Sequence, residues 1–195
     1  MTWPLDDLVL TTPDLVLRGM TEERARALAA VVPDDLEHHP QLTHLSPGSD
    51  VLQAYWRNKG TWSVDDWVLE LEVLHDGVPI GLQALEGKAF ATDRVIDTHS
   101  WLIRSARGKG LGKQMRAAVL SLAFEHLGAL AAVTEAWTDN ASSLGVSRSL
   151  GYVDTHVEDH DGRAMQHLRL SSWQPPFAVQ VDDLDPCLPY LGLHQ

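Results

Sequence analysis

An α+β fold with a mixed, mostly antiparallel sheet and one βαβ crossover is what this sequence of 195 residues predicts. Three observations carry the prediction. Trp67 to His75 alternates apolar and polar side chains, Asp76-Gly77 is a hairpin turn, and Val78 to Leu85 returns antiparallel. Next, Trp101-Leu-Ile103 leads through a glycine turn, Arg107-Gly-Lys-Gly-Leu-Gly112, into an amphipathic helix. Ala131 to Trp137 then reads as a strand parallel to the one before that helix.

The remaining elements follow in order. Leu8 to Leu10 and Leu15 to Leu17 are short apolar runs about a turn at Thr12-Pro13, suited to strands at an edge. Thr21 caps a helix with Glu22 and Glu23 in its first turn, Ala25, Leu28, Ala29 and Val32 form its buried face, and Pro33 stops it. From Asp34 to Ser49 the composition is that of a loop, with histidines at 38, 39 and 44, and a second helix covers Asp50 to Lys59, ending at Gly60. Arg94 to Arg104 is a third long strand. The helix from Leu111 puts Leu111, Met115, Ala118, Val119, Leu122 and Ala123 on one face, with Gly128 after its end. Asp139-Asn140 caps a helix that runs to Leu150 and stops at Gly151. Tyr152 to Glu158 and Arg163 to Leu170 are two last strands around Asp161-Gly162. Prolines then break the pattern. The expected division is one domain over residues 1–173 and a tail over 174–195, with one strand at Ala178 to Val181 that either joins its own sheet or serves as the arm of a homodimer.

Composition removes several classes of function. A formal net charge of −12 argues against nucleic acid as a partner, because phosphate neutralisation needs a basic face. The same charge favours amines and basic peptides, or simply keeps the chain in solution. No apolar stretch is long enough to cross a bilayer and the N-terminus lacks the basic and apolar segments of a signal peptide, so the expected compartment is the cytoplasm. Cys187 stands alone, which rules out an internal disulfide and a thiol-metal cluster. No His-Glu-x-x-His pattern is present either, and no metal is expected.

Glycines 108, 110 and 112 let the backbone turn tightly and approach a ligand, while the first helical amides lack internal acceptors. Arg107, Lys109 and Lys113 add three cations to an acidic chain, and a diphosphate fits. A Walker loop fails, because Gln114 follows Gly112-Lys113 where a hydroxyl for magnesium is required. A dinucleotide fingerprint lacks its third glycine at Lys113, although Glu135 or Asp139 lies at a tolerable distance for a ribose; a Rossmann unit also opens its sheet, whereas this turn comes past mid-chain. The pattern Arg/Gln-x-x-Gly-x-Gly/Ala is matched by Arg107, Gly110 and Gly112.

In this context the chain resembles the GNAT superfamily of acyl-CoA-dependent N-acyltransferases. Trp101-Leu102 before the turn, then Asn140-x-x-Ser143-x-x-Val146 and Leu150-Gly151-Tyr152, look like the RimJ/RimL type, over about residues 6–173. From the Trp67 strand through Trp101, Met115-Arg-Ala-Ala-Val119, Ser147-Arg148 and the tail, the chain is similar to a member described as a succinyl-CoA transferase. The residues alone also admit a structural glycine turn in an unrelated α+β protein.

The resemblance implies that Arg107, Gly108, Lys109, Gly110, Leu111, Gly112 and Lys113 hold the CoA pyrophosphate. It implies that two parallel strands splay apart for the pantetheine arm beside Trp101, Leu102 and Ile103, with an oxyanion donor among the amides near Leu102 or Ile103. Asn140, Ser143 and Ser147 are the further cofactor contacts. Many family members carry a tyrosine acid where Ser147 stands, so Ser143 takes the role beside the departing thiolate; a hydroxyl is a poor acid against a thiol of pKa about 8.5, so hydrogen bonding to sulfur counts as much as donation. Asp97 or His99 is the general base, the alternative for both being a solvated strand face. Glu70 and Glu72 either attract a cationic acceptor or are solvated. His38 and His39 belong to the segment that in this family folds over the acceptor pocket. Trp62, Trp67 and Trp101 line an acyl or acceptor pocket or belong to the core. Arg57 and His38 are candidates to meet a succinyl carboxylate. The expectation is transfer of acetyl or succinyl from acyl-CoA to a primary amine on a small molecule, a lysine or a protein N-terminus. A catalytically silent CoA-ester sensor is the alternative from another class.

Overall fold

The computed structural model describes residues 3–36 and 46–193. Nine strands form one sheet: β1 (Val9–Thr11), β2 (Leu15–Gly19), β3 (Asp66–His75), β4 (Val78–Lys88), β5 (Val95–Leu102), β6 (Ala131–Trp137), β7 (Val153–His160), β8 (Arg163–Leu170) and β9 (Gln180–Asp182), in the spatial order β7-β8-β6-β5-β4-β3-β2-β1-β9. Among the described residues every pairing is antiparallel except β5 with β6. That parallel pair encloses α4 (Leu111–Ser121), which continues into a single π-helical turn at Leu122–His126. This is the mixed α+β arrangement with one crossover that the sequence predicts.

The other helices are α1 (Glu22–Ala29), α2 (Pro47–Gly60), α3 (Phe90–Asp93) and α5 (Ala141–Ser149). Thr21 caps α1 by accepting the Arg24 amide. The second helix begins three residues before the expected Asp50, because Ser46 is its cap and Pro47 fits the first helical position, where no amide donor is needed. Strand β5 is shorter than expected. The one-turn α3 precedes it, and a 3-10 turn at Arg104–Ala106 follows it.

Helices cover the sheet unevenly. On one face α4 joins Trp67, Leu69, Leu71 and Val73 of β3 and Ile96 and Leu102 of β5 in the main core. On the other face α1 and α2 cover only the β2-to-β5 half, with Met20, Ala25, Leu28 and Val51 against Leu82 and Ala84. Strand β7 is exposed along its whole length. The tail does not trail away: β9 pairs with β1, Cys187 and Leu191 are buried, and Trp62 Nε1 donates to the Tyr190 carbonyl at 3.0 Å. Among the described residues no helix is long and apolar enough to cross a membrane.

Candidate active site

The glycine turn has the backbone its composition requires. Gly108 and Gly110 lie at φ +73° and +82°, in the left-handed region where a side chain is strained, and a Cβ at either would meet nothing within 4 Å. Gly110 is the N-cap of α4, so the Leu111 and Gly112 amides point off the helix end without intrahelical acceptors. At Gly112 the position of an added Cβ lies 3.7 Å from Leu102 and 3.8 Å from Val146, which brings the end of β5, the start of α4 and the flank of α5 to one place.

Of the three cations expected there, one is already engaged. Arg107 grips Asp35 with both arms, Nη1 at 2.7 Å and Nη2 at 2.9 Å, and its Nε donates to the Leu102 carbonyl at 2.9 Å. Arg104 reaches Asp35 as well, at 3.2 Å, and Asp34 at 2.7 Å. The Arg107 hydrogen bonds hold the Asp35 carboxyl well below the usual range. Lys109 and Lys113 make no ion pair among the described residues.

Beyond the turn, β5 and β6 part company. Their register runs only Val95↔Ala131, Ile96↔Ala132 and Asp97↔Val133. Ile103 donates its amide to Ile80 on β4, and in an antiparallel ladder alternate residues face alternate sides, so the amides of Ser100 and Leu102 face the widening gap toward β6. Two carbonyls verify that direction. Thr98 O accepts the Thr134 hydroxyl at 3.0 Å from across the gap, and Leu102 O accepts Arg107. Of the two amides nominated from sequence, Leu102's opens on the gap and Ile103's is committed to β4. Ser100's was missed, because a strand run does not announce where its neighbour departs.

The open half of the sheet forms a pocket of about 360 Å³ beside the point of divergence, lined by Asp97, Glu135, His156, His167 and Arg169, among others. The Asp97 carboxyl is pushed up to about 6, chiefly by burial, with Glu86 and Glu135 adding repulsion and the Thr98 amide and Arg116 opposing it. His99 lies two residues along the same strand face and is exposed. His167 sits between Glu135 at 3.4 Å and Glu158 at 3.3 Å, and its ring stacks on His156 with centroids 4.3 Å apart. His156, Glu158 and His167 bring potential ligand atoms within 4.8 Å of one another, but the imidazole planes are only 6° apart, so their in-plane lone pairs run parallel instead of converging on one ion.

Other sequence candidates fall elsewhere. Glu70 and Glu72 are not solvated: they lie 7% and 1% exposed, beneath α1 and α2. Arg18 holds Glu72 at 2.6 Å, and burial pushes Glu70 up to about 7 against a hydrogen bond from Asn58. Trp67 is core, Trp62 packs on it and on Trp3, and Trp101 packs against the second core cluster. Arg57, on α2, lies close enough to Glu70 and Glu86 to lower both. His38, His39 and His44 are outside the described residues.

On α5, Asn140 Oδ1 accepts the Ser143 amide at 3.1 Å, the N-cap geometry. Ser147 is buried, and its hydroxyl donates to the Ser143 carbonyl at 3.2 Å, so it is spent within the helix. Ser143 is half-buried one turn before Val146, on the side that faces Gly112. Sequence reasoning also missed Arg116. It is only 4% exposed and reaches across the divergence to Thr134 and Ser100, each at 3.4 Å. Its signal is legible in retrospect as the lone charge between Met115 and Ala123.

A family model for the acetyltransferase (GNAT) domain matches residues 14–153. Solved structures agree in fold. A Vibrio cholerae protein described as a ribosomal-protein-serine acetyltransferase superposes with a TM-score of 0.68 at 17% identity, over 86% of this chain and 99% of that one. RimL, a ribosomal alpha-N-protein acetyltransferase in complex with coenzyme A, gives 0.69 at 15% identity over 82% and 95%. RimJ of Mycobacterium smegmatis, in complex with a CoA-disulfide, gives 0.68 at 15% identity over 88% and 90%. The domain match spans most of the chain and includes the glycine turn, the diverging strands and α5, and by it this protein belongs to the GNAT acetyltransferase family.

Proposed function

We propose that the protein is an N-acyltransferase that moves an acetyl or succinyl group from acyl-CoA to a primary amine within a ternary complex. The observation that carries this reading is the end of the β5–β6 pairing after Asp97, which leaves the Ser100 and Leu102 amides facing a gap that leads to the free N-terminus of α4.

The chemistry follows from that arrangement. The pyrophosphate rests on the amides of residues 108–112, with Lys109 and Lys113, which make no ion pair among the described residues, as its cations. The pantetheine arm lies in the gap, and the thioester oxygen takes a backbone amide of β5, which stabilises the negative charge that grows on it during attack. The amine enters from the open pocket and gives a proton to Asp97, directly or through water, with His99 as the second candidate. A carboxylate raised to about 6 is ionised at neutral pH yet basic enough to take part. As the C–N bond forms and the C–S bond breaks, Ser143 on α5 hydrogen-bonds the thiolate. Trp101 and Asn140 shape the site through packing and capping. The acid-lined pocket suits a cationic acceptor such as a lysine side chain, a protein N-terminus or a small amine. Solution in the cytoplasm fits this substrate set.

The test is calorimetry with CoA, acetyl-CoA, succinyl-CoA and NAD, followed by thiol release and product mass with a panel of amines and basic peptides. Micromolar CoA binding and acylated product are expected. Equal binding of NAD and none of CoA overturns the reading, and tight CoA binding without turnover on any acceptor favours the silent sensor.

A further inference from the structure

Arg116 is a charge in the wrong place for a merely structural residue. It rises from the middle of α4, is 4% exposed, and among the described residues no carboxylate pairs with it. Among the described residues its terminal nitrogens donate to Thr134 Oγ1 and Ser100 Oγ, both at a long 3.4 Å, and its Nε has no hydrogen-bond partner. Two further buried polar atoms crowd the same spot. Tyr152 Oη and Thr98 Oγ1 lie against one another and Arg116, yet neither completes a well-formed hydrogen bond. Asp97 shares the field of Arg116 only from the opposite face of the sheet. A buried cation supplied with hydroxyl dipoles and no counter-ion is costly, and so is each orphaned hydroxyl beside it. An anion delivered by a ligand relieves all of them at once.

The position of this cluster says which part of a ligand would carry the anion. The argument rests on the reading of the gap as the acyl-CoA site. A thioester carbon is trigonal: sulfur arrives from the open end of the gap beside the glycine turn, and oxygen takes an amide of β5. The third substituent, the rest of the acyl group, then points to the closed end, where Thr98 and Thr134 mark the vertex and Arg116 spans the strands. The amine attacks from the opposite face, lined by Asp97 and Glu135. Cation and base are thus separated by the sheet, each facing its own substrate.

We propose that Arg116, with Tyr152 and Thr98, forms a subsite for the terminal carboxylate of a dicarboxylic acyl-CoA, with a succinyl-sized chain spanning the distance from thioester to guanidinium. The planar fork of arginine suits a carboxylate in two-point contact, and burial strengthens such a pair well beyond its value in water. A methyl group in the same place leaves the guanidinium unpaired.

The test compares binding of succinyl-CoA, butyryl-CoA, acetyl-CoA and free CoA by calorimetry at one ionic strength. Butyryl-CoA matches the chain of succinyl-CoA without its charge. The intact protein is expected to prefer succinyl-CoA over butyryl-CoA by at least about tenfold, the preference falling to about one in Arg116→Met and partly returning in Arg116→Lys. Tyr152→Phe, a smaller change that keeps the ring, is expected to reduce the preference several-fold and carries the test if Arg116→Met does not fold. Measurable binding of all four ligands without preference for succinyl-CoA overturns the inference and leaves the acyltransferase reading standing. A preference that survives both Arg116→Met and Tyr152→Phe overturns the assignment to this cluster. No binding of free CoA sinks the acyltransferase reading and the inference together.

Discussion

Two sets of carboxylates occupy the same face of the same sheet and meet opposite fates. Glu70 and Glu72 on β3 lie beneath α1 and α2, Glu72 taken by Arg18 and Glu70 pushed up to about 7 by burial. Asp97 on β5 and Glu135 on β6 lie a few strands away, where the helical cover ends, and line an open pocket. Strand alternation decides only which face a side chain takes. What covers that face decides whether a carboxylate becomes a structural group or one available to a substrate.

Exchanging charge for amide at each site sharpens this contrast. The largest effect is expected from Asp97→Asn, which should lower turnover by about a hundredfold while succinyl-CoA or acetyl-CoA affinity stays near that of the intact protein. In the intact protein the rate should climb with pH through about 6 and then level off, because the carboxyl must be ionised to accept a proton. Stopped-time assays across that range check both, and an unchanged pH limb in the variant transfers the role to His99. Glu70 is expected to act on stability and not on rate. Its folded-state carboxyl is raised to about 7, so the stability it contributes is complete below its unfolded value, near 4.5, and is lost as pH rises through 7. Between pH 5 and 8 that loss is roughly 2 kcal/mol, and Glu70→Gln should remove it, as measured by urea unfolding at the two ends of the range. The smallest effect belongs to Glu135→Gln. It should raise KM for a lysine-bearing acceptor a few-fold at low salt, with the difference vanishing at about 0.5 M salt, because its carboxylate attracts through solvent without close pairing.

These outcomes bear on how much of the molecule the sequence makes legible. The hairpin at Asp76-Gly77, the crossover and the left-handed glycines of the turn are readable because each is a local requirement written in local residues. The start of α2 is misread because Pro47 serves equally well in a loop and in the first turn of a helix. The divergence of β5 from β6 leaves no mark in either strand, since it consists of hydrogen bonds that do not form. Glu70 and Glu72 mislead for a related reason: a polar stripe on a strand looks solvated until a second layer of helices is known to cover it. Arg116 was hidden by its neighbours. A helical wheel assigns it to the flank of an apolar face, and only the burial of the entire stretch from Met115 to Ala123 turns it into an anomaly.

The pairing of β9 with β1 has a consequence for synthesis. Val9, Leu10 and Thr11 meet Asp182, Val181 and Gln180, so the outer rim of one of the first strands to leave the ribosome stays bare until almost the whole polypeptide has followed. The last strand acts as a closing seam. Nascent chains that stall before residue 180 carry an unprotected rim at β1 in addition to the permanent one at β7, and are candidates for chaperone capture or for pairing between neighbouring polysomal chains.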